Sequence, residues 1–268
     1  LFFLGYGFLA VLLPSPRQFT HLERVALSFG VGAVLVTLWM LALSWLKIQY
    51  NLPVIFGPLL GLAAVLLLGK IMFGGDESWE ALKRPQAVPF RGWDWLFLGL
   101  LALLFLFATL RAMLYPIWAW DSIATWGCKA KIFFESRSLE LGCIDAHNYY
   151  PNLVPMLLSY LYFCLGQVSD HLAQGLFPIW GALLLALLYS LAKRLGLNRT
   201  QALGTAAFLA LNGVTFIEHL YIVYADLALA YFTLGAAGFL YLWLKGQGPR
   251  GSLAAAACFC TGMAWCKY

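Results

Sequence analysis

Two aspartates stand where apolar sequence gives way to polar sequence. Asp121 lies in Tyr115-Pro-Ile-Trp-Ala-Trp-Asp121-Ser-Ile-Ala-Thr-Trp126, and Asp226 closes Glu218-His219-Leu-Tyr221-Ile-Val-Tyr224-Ala-Asp226. A carboxylate at the edge of a nonpolar medium can accept the proton of an incoming hydroxyl, a form of general-base help worth about 10²–10⁴-fold. The plainer role is structural. Asp121 can cap the helix that follows it, and Asp226 can be a solvated first-turn residue favoured by the helix dipole. Catalysis is the preferred reading for Asp121, and both readings stay open for Asp226.

Cations beside such a carboxylate can bind phosphate oxygens or offset negative charge that grows in a transition state. Arg111, Lys129, Lys131 and Lys267 are candidates for that role. A guanidinium forks onto phosphate oxygens, whereas snorkelling or headgroup contact accounts for any of the four equally well. Glu218, His219 and His147 are polar candidates beside them; a lone interfacial histidine is more often an ordinary polar residue. Tyr149 and Tyr150 suit stacking on a sugar ring, and tyrosine is also common at membrane interfaces for unrelated reasons.

The elements that must hold these groups are apolar. Of 268 residues, 62% are hydrophobic and 11% charged, a composition that excludes a soluble globular domain and reads as an all-α, polytopic transmembrane bundle. The formal charge of +5 then reports topology, not a nucleic-acid partner, because the basic residues cluster in short loops. Membrane lipids are the expected surroundings. No cysteine has metal-ligand spacing with histidine. Cys258 and Cys260 lie in an apolar run where thiols pack, while Cys128 and Cys143 either pair or stay free. Leu1 is not an initiator methionine, and Tyr268 ends an apolar run, so the sequence reads as a fragment with no cleavable signal peptide.

A first apolar run, Leu1 to Leu13, ends at Pro14-Ser-Pro16. Full spans are expected at Val25–Leu46, Leu52–Phe73, Trp93–Leu114, His171–Leu191, Thr200–Ile217 and Ile222–Leu244, followed by a shorter run Ser252–Cys266. A span needs about 20 residues to cross roughly 30 Å of hydrocarbon. Lys70 can snorkel at the end of its span. Basic residues mark the connections: Arg17 and Arg24; Lys83, Arg84 and Arg91; Lys193, Arg194 and Arg199; Lys245 and Arg250. All should lie on the cytoplasmic side. Between Arg91 and Lys193 the chain must then cross an even number of times. The middle candidate, 153–166, is too short and contains Pro155, so it is expected along the interface or re-entering. The loop 115–170 and the Glu218–Asp226 connection then share the external face. The sequon Asn198-Arg-Thr200 falls in a cytoplasmic turn and is discounted.

Within the long loop, Ser122 to Glu135 has helical periodicity, with Ile123, Trp126, Ala130, Phe133 and Phe134 on one side and Ser122, Thr125 and Lys129 opposite. That pattern suits an amphipathic interfacial helix.

Taken together, Asp121 after a span, the Trp126…Lys129-Ala-Lys131 helix, His147-Asn-Tyr-Tyr-Pro-Asn-Leu-Val-Pro155, Tyr224-Ala-Asp226-Leu-Ala-Leu and Gly262-Met-Ala-Trp-Cys-Lys267 form a sequence of elements. Residues 93–268 resemble the GT-C superfamily of membrane glycosyltransferases, in particular the family 39 group that includes protein O-mannosyltransferases and bacterial lipopolysaccharide-core sugar transferases. The resemblance implies a catalytic module over 93–268 and an N-terminal part, 1–92, without an assigned role. It also implies a polyprenyl-phosphate sugar donor held in an apolar groove, and a lipid, glycan or protein acceptor. Asp121 would be the base of an inverting transfer at the extracytoplasmic face of a bacterial inner or plasma membrane, with Asp226 joining the site. Ser122 follows Asp121 where many protein O-mannosyltransferases carry Asp-Glu, which counts against a protein acceptor. No cofactor is firmly implied, although some members use a divalent metal; no metal ligands are assigned here.

Two other classes compete. A transporter or flippase of lipid-linked sugars would place ionisable residues near mid-membrane and show internal repeats, and neither is evident. A scaffold protein would use the aromatic loop as a docking surface.

Overall fold

A computed structural model describes residues 1–13, 18–73 and 89–267, the side chains of Lys70 and Phe73 excepted. The expected break at Pro14-Ser-Pro16, the basic residues Arg17, Lys83 and Arg84, and the Lys70 side chain lie outside the described residues.

All regular structure among the described residues is helical: α1 (Phe2–Leu12), α2 (His21–Trp45), α3 (Leu52–Phe73), α4 (Gly92–Leu114), α5 (Cys128–Ser136), α6 (Leu153–Leu165), α7 (Asp170–Gln174), α8 (Leu176–Arg194), α9 (Arg199–Ala210), α10 (Asp226–Leu244) and α11 (Ser252–Cys266). A π-helical turn, Ser122–Gly127, leads into α5. Five helices are long and apolar enough to cross a membrane: α2, α3, α4, α7 with α8, and α10; α9 with the turns after it makes a sixth if the pair counts as one. The chain is a polytopic membrane protein.

The central helices are α2 and α7–α8, each with 67% of its apolar window buried, against 17% for α3 and 11% for α4. Apolar faces as open as those of α3 and α4 suit a surface in contact with lipid or with another apolar chain. Trp180 of α8 anchors the core, edge-on to Phe29 at 5.4 Å, Tyr231 at 5.8 Å and Phe232 at 5.7 Å. Between α10 and α11 the backbones approach closely because Gly235 faces the Phe259 ring and Gly262 faces Phe232; a Cβ at either glycine would strike the ring.

Two buried carboxylates gather the basic turns at one end of the bundle. Glu23, fully buried, completes the capping box with Thr20 at the start of α2 and pairs with Arg194 at the end of α8. Asp94, in the first turn of α4, accepts from Arg199 Nε at 3.1 Å and Thr200 Oγ1 at 2.5 Å at the start of α9. Arg250 N donates to Gln18 Oε1 at 2.7 Å. Asn198 caps α9 reciprocally with Gln201, which accounts for the sequon residues without a glycan. With the basic turns together, α4 and α8 run in opposite directions, and the loop 115–169 lies at the other end.

Three expectations change in detail. The span expected at 200–217 is broken: α9 and the segment Gly213–Leu220 meet at 80°, because the Asn212 side chain accepts from Thr215 N at 3.1 Å and starts a new turn. The last full span begins at Asp226, with Ile222–Ala225 belonging to the connection. The short helix α6, expected along the interface or re-entering, is walled in by protein: Leu153 to Tyr160 and Tyr162 are buried. Its two ends meet the same end of the bundle, where Asn152 lies 3.5 Å from Lys129 Nζ and Tyr162 donates to Asp170 at 3.0 Å.

The loop helix is also oriented differently. Ser122, Thr125, Trp126, Lys129, Ala130 and Phe133 are all buried, while Ile123 is 53% exposed. Its inner neighbours are α6 and the 145–152 segment, which offers carbonyl oxygens. Lys129 finds carbonyl acceptors there, so its ammonium is buried with partners, whereas the buried Ser122 Oγ has none.

Candidate functional site

The end opposite the basic turns assembles the residues singled out by their chemistry. Asp121 is exposed and stands at the N-cap position of the π-helical turn, yet its side chain makes no capping bond. Its carboxylate is therefore not spent on the helix. Asp226, in the first turn of α10, pairs with Lys267 just beyond α11, Nζ to Oδ1 at 2.8 Å. Cys266 Sγ donates to Ala225 O at 3.4 Å and pins the end of α11 to the start of α10.

Tyr224 joins the two stations. The pKa of its phenol lies above the usual value, first through burial, then through the Asp121 carboxylate and, more weakly, Asp226. Both carboxylates thus act on one hydroxyl. The His219 ring meets the Tyr224 ring edge-on at 5.9 Å, and His219 Nδ1 is enclosed without a partner. Glu218 is exposed on the same short turn.

An aromatic shelf adjoins Lys267. Its ammonium lies 5.9 Å from the Tyr150 ring centroid, and Tyr150 packs on Trp126 at 5.4 Å, Tyr149 at 4.5 Å and His147 at 6.0 Å. His147 and Tyr149 share a hydrogen bond of 3.1 Å. The hydrogen bond to Asp226 holds the Lys267 pKa above its usual value, so the ammonium is charged throughout the neutral range. Arg111, in the last turn of α4, is clamped between Tyr115 and Tyr221, 3.7 and 5.3 Å from their centroids.

The remaining cations are occupied. Lys129 is fully buried; its Nζ donates to His147 O at 2.9 Å and approaches Tyr150 O at 3.4 Å. Desolvation lowers its pKa. It is a strut that shapes the 147–152 turn from beneath the shelf. Lys131 pairs with Asp170 at 2.9 Å and ties α5 to α7. The structure thus brings Asp121, Asp226, Lys267, Tyr150, Tyr149, His147, His219 and Glu218 to one end, with Arg111 at the neighbouring helix terminus.

Sequence reasoning passed over Tyr224, Trp126, Tyr115 and Tyr221 as individual residues. Tyr224 had one signal, its place two residues before Asp226 in a polar connection; the clamp on Arg111 joins two distant segments and had none. All six cysteines are free thiols. Among the described residues no three His, Cys, Asp or Glu side chains are grouped to hold a metal ion. The apolar clefts between α4, α8 and α9 (≈ 290 Å³) and between α8, α9 and α10 (≈ 400 Å³) draw on residues toward the basic end. Compared with family models, curated proteins and solved structures, the chain has no match.

Proposed function

We propose that the chain is a membrane glycosyltransferase that moves a sugar from a polyprenyl-phosphate donor to an acceptor hydroxyl, with Asp121 as general base. One observation carries the reading: Asp121, released from capping, and Asp226, paired with Lys267 beside the aromatic shelf, stand at the same end of the bundle and both raise the Tyr224 pKa. Asp121 takes the proton of the acceptor hydroxyl as its oxygen attacks the anomeric carbon. The bond from that carbon to the phosphate oxygen breaks, and the electron pair leaves with the phosphate. The sugar configuration inverts. Lys267 and the clamped Arg111 are the cations placed to offset the growing phosphate charge. Tyr150 and Tyr149 offer faces for the sugar ring, and Tyr224 stays a neutral hydroxyl under the influence of both carboxylates. The same end is then the extracytoplasmic one, since the basic turns belong to the cytoplasm.

The test is Asp121→Asn in membranes supplied with a panel of polyprenyl-phosphate sugars. Transfer should fall by about 10²-fold or more, with insertion and folding intact. Full activity in this variant would remove the assignment. Net uptake of a lipid-linked sugar across vesicles, without any transfer product, would instead favour a flippase.

A further inference from the structure

At the basic end, opposite Asp121 and Asp226, a cleft of ≈ 270 Å³ opens between α1 and α2. One wall is aromatic, made by Phe2, Phe3 and Tyr6; the other presents His21, Arg24 and Ser28. The polar wall has capacity to spare. Ser28 is 3% exposed, and its Oγ has no partner, nor has the enclosed Arg24 Nε. Arg24 Nη2 lies 2.8 Å from His21 Nδ1, and no ion pair joins Arg24 to a carboxylate among the described residues, since the adjacent Glu23 is committed to Arg194. Spacings of three and four residues put His21, Arg24 and Ser28 on one helical face, within about 5–6 Å of one another between neighbours.

A buried hydroxyl and a guanidinium N–H without acceptors call for an anion with several oxygens. The opposite wall calls for hydrocarbon: Phe3 is 87% exposed and Tyr6 46%. Inorganic phosphate satisfies only the first demand. We infer that this cleft binds an anionic glycerophospholipid, its phosphate on Arg24, His21 and Ser28 and its acyl chain against Phe2, Phe3 and Tyr6. Basic recesses between membrane helices are suited to such headgroups, and Arg194, Arg199 and Arg250 gather at the same end of this bundle. The site is separate from the proposed catalytic one and does not depend on that reading.

The experiment is native mass spectrometry of the full chain released from nanodiscs containing equal parts phosphatidylglycerol and phosphatidylcholine. The unaltered protein should retain phosphatidylglycerol in preference. Arg24→Gln should lower that preference about tenfold, His21→Gln should lower it as well, and Lys245→Gln, at the same end but outside the cleft, should leave it unchanged. His21 is exposed, so its replacement tests the site without threatening the fold, and circular dichroism checks helix content in each variant. Equal retention of the two lipids by the unaltered protein would overturn the inference. So would undiminished retention in both cleft variants, or displacement of the lipid by millimolar inorganic phosphate.

Discussion

Tyr224 is the residue on which the candidate site turns, because its phenol is where the fields of Asp121 and Asp226 overlap. Burial and both carboxylates disfavour a phenolate, so the group stays a neutral hydroxyl up to and beyond its ordinary value of 10.0. In an ultraviolet titration of detergent-solubilised protein, the difference between unaltered chain and Tyr224→Phe should show phenolate absorbance only above that pH. A Tyr224 phenolate signal at lower pH would mean that the carboxylates do not act on it. Lys267 shifts in the opposite functional sense, since a raised pKa keeps its charge. The stability it contributes through Asp226 is complete below the unfolded value of 10.5 and is lost as pH rises through the higher folded value. Both side chains are partly exposed, 27% and 43%, so the pair contributes no more than about 1 kcal/mol to the fold.

Among the elements, the loop between α4 and α7 is held by one buried cation. Lys129 rises from α5 into the carbonyls of the 147–152 turn, where the shelf residues His147, Tyr149 and Tyr150 begin. Replacing it with methionine keeps the volume but leaves those carbonyls without a donor, a loss of about 1–3 kcal/mol. Lys129→Met should lower the thermal midpoint in detergent and raise amide exchange in residues 145–152, with exchange in α8 and α10 unchanged. Unaltered exchange in that segment would show that Lys129 does not order the shelf. The π-helical turn before α5 belongs to the same device. Its buried stripe of Ser122, Thr125 and Trp126 continues through Lys129, Ala130 and Phe133, so Asp121 projects from the one end of a helix that is otherwise locked in place.

For the molecule as a whole, the separation of charge carries the proposed orientation. Glu23 and Asp94 draw Arg194 and Arg199 to one end, and the carboxylates of the candidate site stand at the other. In the proposed orientation, with the basic end cytoplasmic, a variant keeping only Cys143, which is exposed in the long loop, should react with a membrane-impermeant maleimide in intact cells. With Cys143 removed as well, Lys245→Cys should react only after permeabilisation. The reverse pattern would invert the protein and move the proposed chemistry to the cytoplasmic face.

Helix number and most helix limits were legible in the sequence, because apolar length and polar interruptions are properties of the chain itself. Leu52–Phe73 and Ser252–Cys266 coincide with α3 and α11, and basic clusters marked the turns that share an end. Lateral arrangement was not legible. Lys129 reads from sequence as the polar side of a surface helix; it is buried because carbonyls from a turn eighteen residues onward converge on it. Asn212 breaks a span that hydropathy alone runs through, since a side-chain cap outcompetes helix continuation there. Charge and hydropathy, summed along the chain, determined that this is a multi-pass helical protein with two polar stations. Only tertiary packing decided that Asp121 and Asp226 both stand close enough to raise the Tyr224 pKa, because the proximity of distant segments has no signature in either segment alone.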